Sequence, residues 1–64
     1  MKFMIENKLK MDPKAKSYSV KASELRDLTK RARSEGRVPL LQFDLAGHNY
    51  VVLCEDDLLD LLED

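Results

Sequence analysis

The stretch from Ser23 to Leu53 constrains this chain more than any other part of it. Ser23 is followed by Glu24 and Asp27, then by Leu25, Leu28 and Ala32 at i, i+3, i+7, and the pattern ends at Gly36. This predicts an amphipathic helix. Ser23 fits the N-cap, the acids suit the positive end of the helix dipole, and Gly36 stops the helix behind Arg31 and Arg33. Two apolar runs follow, Val38 to Leu45 and Tyr50 to Cys54, split by Ala46-Gly47-His48-Asn49. So short a link makes a hairpin rather than a parallel crossover, with Gly47 supplying positive φ. Pro39 sits at the start of the first run, where a missing N–H is tolerated. The returning run is apolar on both faces and predicts a strand that is central or covered on both sides.

The flanks read as partners for that unit. Lys2 to Leu9 alternates, with Phe3, Ile5, Asn7 and Leu9 on one face and Lys2, Met4, Glu6 and Lys8 on the other. This predicts a strand with one mainly apolar face. Lys10 to Lys16 reads as a wet, positive loop around Asp12-Pro13, and Ser17 to Val20 as a short extended piece with Tyr18 and Val20 inward. Glu55-Asp56-Asp57 opens a second helix whose buried stripe is Leu58, Leu59, Leu61 and Leu62. The expectation is one small α/β domain over residues 1–64: a three-stranded mixed sheet with two helices, in the order β-α-β-β-α.

Composition narrows what stabilises such a domain. Sixty-four residues support only a small core, and the single Cys54 and single His48 provide neither an internal disulfide nor a zinc site. Oligomerisation is the remaining remedy, so a homo-oligomer or a partner chain is expected. Net charge is −1, yet residues 1–37 hold all eleven Lys and Arg against five acids, while residues 38–64 hold seven acids and no Lys or Arg. That imbalance suits a basic face and an acidic face; exposed charges kept for solubility account for it equally well. The N-terminus has no apolar signal region, and no run approaches the ~20 residues of a membrane span, so no membrane partner is expected. A lone cysteine fits a cytoplasmic location.

On the helix, Asp27–Arg31 and Arg31–Glu35 are expected i, i+4 pairs. Arg26, Lys30 and Arg33 fall on one line at i, i+4, i+7. Such a stripe is either a solvated face or a row of phosphate contacts.

Glu6 and Lys8, two apart on a strand, share a face at a spacing of about 7 Å. A carboxylate and an ammonium so placed suit metal-assisted phosphodiester hydrolysis. The acid would ligate Mg²⁺, and the lysine would orient water and offset charge developing on the phosphate. The bare pattern E-x-K is common by chance, and a cross-strand or solvated ion pair explains it as simply. The remaining candidates are weaker. His48 reads as a turn residue, Cys54 as a buried small residue at a strand end, and Tyr18 as core rather than a stacking platform.

The wider order is more specific. Ile5-Glu6-Asn7-Lys8, a basic loop, Ser17-Tyr18-Ser19-Val20, a helix, Glu35-Gly36-Arg37-Val38-Pro39-Leu40-Leu41-Gln42-Phe43 and Tyr50-Val51-Val52-Leu53 follow one another. The whole, roughly Met4 to Leu62, resembles the PD-(D/E)xK nuclease superfamily, closest to phage-type members related to Holliday junction resolvases. The resemblance implies a restriction-endonuclease-like half fold. In that half fold Glu6 is a metal ligand and Lys8 the catalytic lysine, with Mg²⁺ or Mn²⁺ as cofactor. It departs from the family in one respect. The family carries an Asp on the strand pair before E-x-K, and the residues ahead of Glu6 include no acid. Asp12 and Asp44 are conceivable substitutes, one in a loop and one on another strand. The chain therefore matches the C-terminal half of such a nuclease.

Two expectations follow. One is a DNA-binding, nuclease-like protein that hydrolyses phosphodiesters when a partner chain completes the site. Its phosphate contacts would come from Lys10, Lys14, Lys16, Lys21, Arg26, Lys30 and Arg33. The other is a non-catalytic dimeric module of the same fold that binds protein or DNA.

Overall fold

The computed structural model describes residues 2–8 and 16–63. Its elements are β1 (Phe3–Lys8), α1 (Ala22–Ser34), β2 (Val38–Leu45), β3 (His48–Val52) and α2 (Glu55–Leu62). β1 runs parallel to β2, with Glu6 opposite Leu41 and Lys8 opposite Phe43. β3 returns antiparallel on the other side of β2, with Leu41 opposite Val52 and Phe43 opposite Tyr50. The sheet is mixed, three strands wide and ordered β1-β2-β3, as the α/β reading of the sequence expects. A parallel pair needs a long crossover, and α1 is that crossover.

The apolar run Val38 to Leu41 is the centre of the fold. Val38, Pro39 and Leu41 are buried, and with Leu28 and Ala32 of α1 they make the core. Leu28, Ala32 and Leu41 lose essentially all their exposure. The helical stripe over Leu25, Leu28 and Ala32 thus packs as its spacing predicts. β3 is not the central strand. It lies at the edge, with Tyr50 and Val51 about half exposed. Among the described residues β2 alone is flanked by a strand on each edge, and Tyr50 and Val51, on opposite faces of β3, are both left partly uncovered.

The hairpin is tighter than the four-residue turn expected. Ala46 (φ 51°) and Gly47 (φ 80°) form the whole loop, and His48 already pairs with Leu45. Two positive-φ residues in a two-residue loop match the strand twist. At the other end of α1, Gly36 adopts φ 66° as a helix stop. The Arg37 N–H donates to the Ala32 carbonyl at 2.8 Å, and the Gly36 N–H to that of Arg33 at 3.1 Å. This is the Schellman arrangement, and it turns the chain into β2. The start of α1 differs from expectation. The N-cap is Lys21 without a side-chain cap, so Ser23 lies inside the first turn.

Two faces are reversed relative to the sequence pattern. Leu25, Leu28 and Ala32 put α1 over the face of β1 that carries Met4, Glu6 and Lys8, while Phe3 and Ile5 point away from it and stay exposed. On α2, Leu58, Leu59 and Leu62 are exposed, so the expected buried leucine stripe is not buried there. Asp57 is the buried residue of that helix. Ser17 to Val20 joins no strand, and Val20 is exposed. No described helix is long and apolar enough to cross a membrane.

Candidate functional site

Glu6 and Lys8 lie on the last turn of the pleat in β1, both half-buried beneath α1. Their register partners are Leu41, wholly buried, and Phe43. The pleat puts both side chains on one face, and the Lys8 Nζ stands 4.0 Å from the Glu6 Oε2. They sit toward the carboxyl end of a parallel strand pair and near the start of the crossover helix. That is where open α/β sheets bind ligands.

The helix contributes two further charges. The Arg31 guanidinium donates to the Glu6 Oε1 at 2.7 Å, and the Lys8 Nζ approaches the Glu24 Oε1 at 3.3 Å. The Tyr18 hydroxyl donates to the Glu24 Oε2 at 3.4 Å. One chain of ion pairs therefore runs Arg31–Glu6–Lys8–Glu24, and the Tyr18 hydroxyl closes it with a hydrogen bond to Glu24. Arg31 was expected to pair with Asp27 or Glu35 along its own helix. The shorter bond across to Glu6 takes it instead, and Glu35 meets Arg37 at 3.5 Å. Burial, and then the negative charge of Glu24, push the Tyr18 phenol above its ordinary value.

Aromatic rings wall one end of this cluster. Tyr18 stacks on Phe43 at 4.4 Å, Phe43 on Tyr50 at 5.8 Å, and His48 meets Tyr50 edge-on at 6.5 Å. Tyr18 is thus an inward packing residue, as its alternation with serines suggests, and it reaches the site through its hydroxyl. Glu24 and Arg31 were not singled out for the site from sequence. The signal available was their seven-residue spacing, two helical turns along one edge of α1.

The other expected site residues do not converge. Arg26, Lys30 and Arg33 face the opposite flank of α1, bordering a groove against β3. Arg33 holds the buried Asp57 at 2.9 Å. Lys16 and Lys21 are exposed near the start of α1, while Lys10, Lys14 and Asp12 lie outside the described residues. Asp44 and Lys8 line a common cleft of about 260 Å³ with Asn7 and Asn49 at the strand ends. The pleat, however, puts Asp44 on the other face of the sheet from Glu6. Cys54 is exposed rather than buried, and His48 is a strand residue.

A Mg²⁺ ion takes oxygen ligands in near-octahedral order, usually from one or two carboxylates plus waters or phosphates. Among the described residues no group of three His, Cys, Asp or Glu side chains converges, and the Glu6 carboxylate is already engaged by Arg31. The described part of the site does not by itself fit a divalent cation. No family model, no curated protein and no solved structure matches this chain.

Proposed function

We propose that the chain is a nuclease-like nucleic-acid-binding domain carrying half of a phosphodiester-hydrolysing centre. The observation that carries this reading is the placing of Glu6 and Lys8 side by side, under the crossover helix, on an edge strand. In the described sheet, β1 pairs only with β2. Its outer row of backbone N–H and C=O groups is available to another strand. A carboxylate brought there by a second chain, or by a second copy, would lie next to Glu6. Lys8, the ammonium at the centre of the cluster, would meet a phosphate oxygen and offset the charge that develops on it. Lys16 and Lys21 would hold the backbone of a DNA branch near the start of α1, and Lys10 and Lys14 would add further phosphate contacts. Arg31 holds one oxygen of Glu6, so a cation there would take the other carboxylate oxygen.

The test is cleavage of flapped and four-way DNA with Mg²⁺ or Mn²⁺, with wild type and Lys8→Ala side by side. The proposal expects cleavage, reduced at least about 100-fold by Lys8→Ala, as removal of a charge-stabilising donor does. Equal activity, or none with either metal, removes the catalytic reading.

A second reading has its own observation. Glu6 and Lys8 are each matched by an opposite charge from α1, as in a structural ion-pair network. On that reading the domain binds DNA or protein without turnover. DNA binding that weakens steeply with salt and is indifferent to Lys8→Ala would favour it.

A further inference from the structure

α1 and β3 leave a groove of about 580 Å³ between them. Leu25, Leu28, Pro39, Val52, Leu53 and Cys54 line it, and Arg26, Lys30 and Arg33 border it. An apolar trough with a row of cations along its rim calls for an apolar ridge with a row of anions.

The chain itself carries that ridge. On α2, Leu58, Leu59 and Leu62 are exposed and fall on one stripe at helical spacing. Asp56, Asp60 and Glu63 flank the stripe on one side. Their spacing is i, i+4, i+7, the same as that of Arg26, Lys30 and Arg33 on α1. Among the described residues, Arg33 with Asp57 is the ion pair that joins the two helices of one chain. Asp57 lies on the inner side of α2, away from the exposed leucines. The leucines therefore face away from the groove of their own molecule, with Asp56 and Glu63 beside them, while Asp60 is exposed and also lines a cleft with Arg33, Arg37 and Asp57.

We propose that the groove takes α2 of a second copy of this chain, and the second copy takes the first's, in a two-fold symmetric dimer. The leucines fill the trough, and the acids that flank them meet Arg26 and Lys30 across it, Arg33 being held by Asp57 of its own chain. A surface that is apolar, exposed and edged by charges of one sign is ordinarily an interaction site. The complementary sign on a different patch of the same chain makes a reciprocal contact self-consistent. The basic stripe is then assigned to protein rather than to phosphate. The proposal is independent of any chemistry at Glu6 and Lys8.

Lys30 and Asp60 are the middle members of their stripes, so they meet whichever way the two helices run. Both are exposed; because Asp60 also lines the cleft of Arg33, Arg37 and Asp57, the fold of Asp60→Lys is checked by circular dichroism before its sedimentation is read. Sedimentation equilibrium of the full chain should give a dimer. Lys30→Glu alone and Asp60→Lys alone should each weaken it about tenfold or more, since each places two like-charge contacts in the symmetric interface. Mixing the two variants should restore it, because a heterodimer contains only opposite-charge pairs. Reaction of the Cys54 thiol with a disulfide reagent should slow as protein concentration passes the dissociation constant. A monomer at every concentration, or a dimer indifferent to both reversals, would overturn the proposal. So would failure of the mixture to exceed either variant alone. Cleavage and DNA binding are read separately, with Lys8→Ala as the control, so a failed interface and a failed active site are distinguishable.

Discussion

The side chains around Lys8 set the electrostatics of the site, and Tyr18 reports on them. Its hydroxyl donates to Glu24 and its ring lies flat on Phe43. Burial and then the Glu24 charge raise its ionisation above the ordinary value of 10.0. In the unfolded chain the phenol ionises near that ordinary value. As pH rises from there toward the folded value, the unfolded state loses the proton and the folded state keeps it. Stability therefore falls through that window; it is fully present below it. Tyr18→Phe keeps the stacked ring and removes the proton. Its stability at neutral pH should drop by about 1 kcal/mol or less, as for one long neutral-to-charged bond. Its stability curve between pH 9 and 11 should be flatter than that of the wild type, read by urea unfolding at each pH. Identical slopes would mean that Tyr18 is not coupled to the cluster.

Which elements form was legible in the sequence; which face each one buries was legible only in part. The stop at Gly36, the hairpin and the apolar stripe of α1 each rest on local rules of backbone angle or period, and all three hold. The pleat of β1 placed Glu6 and Lys8 together, but it could not say that α1 would cover them and leave Phe3 and Ile5 exposed. α1 covers that face through Leu25, Leu28 and Ala32, and its Glu24 and Arg31 pair with the charges of β1. Nor could periodicity place β3 at the edge. Val51 and Val52 read as buried on both faces, and only the pairing of β1 with β2 decides which strand is central. The hairpin shows what a local rule misses. Its first loop residue is Ala46 at φ 51°, a conformation that costs an alanine about 1 kcal/mol. Asparagine tolerates it and is preferred ahead of glycine in this turn. Ala46→Asn should raise stability by about 0.5–1 kcal/mol, seen as a higher urea midpoint at unchanged slope. A lower midpoint would mean that the side chain at this position has another task.

At the scale of the molecule, the distribution of burial is lopsided. Leu28, Ala32, Val38 and Leu41 concentrate the core where α1 crosses β2. α2 is anchored by Asp57 to Arg33 and turns three leucines outward. Regions with few buried apolar contacts open at lower free energy than the core. In dilute protein, hydrogen exchange should therefore be slowest in β2 and the middle of α1, while α2 should exchange early and on its own. Concentration should change that order. If α2 docks in the groove of a second copy, its opening is linked to dissociation, and a ligand present at about 100 times its dissociation constant adds about 2.7 kcal/mol to the state that binds it. Exchange measured by mass spectrometry at two protein concentrations should show α2 slowing markedly at the higher one, with Leu58 to Leu62 most affected and β1 unchanged. Equal protection of α2 at both concentrations, in a chain that sediments as a dimer, would place the contact elsewhere. The face carrying Phe3, Ile5 and Val51, which are exposed among the described residues, would then be the surface to examine.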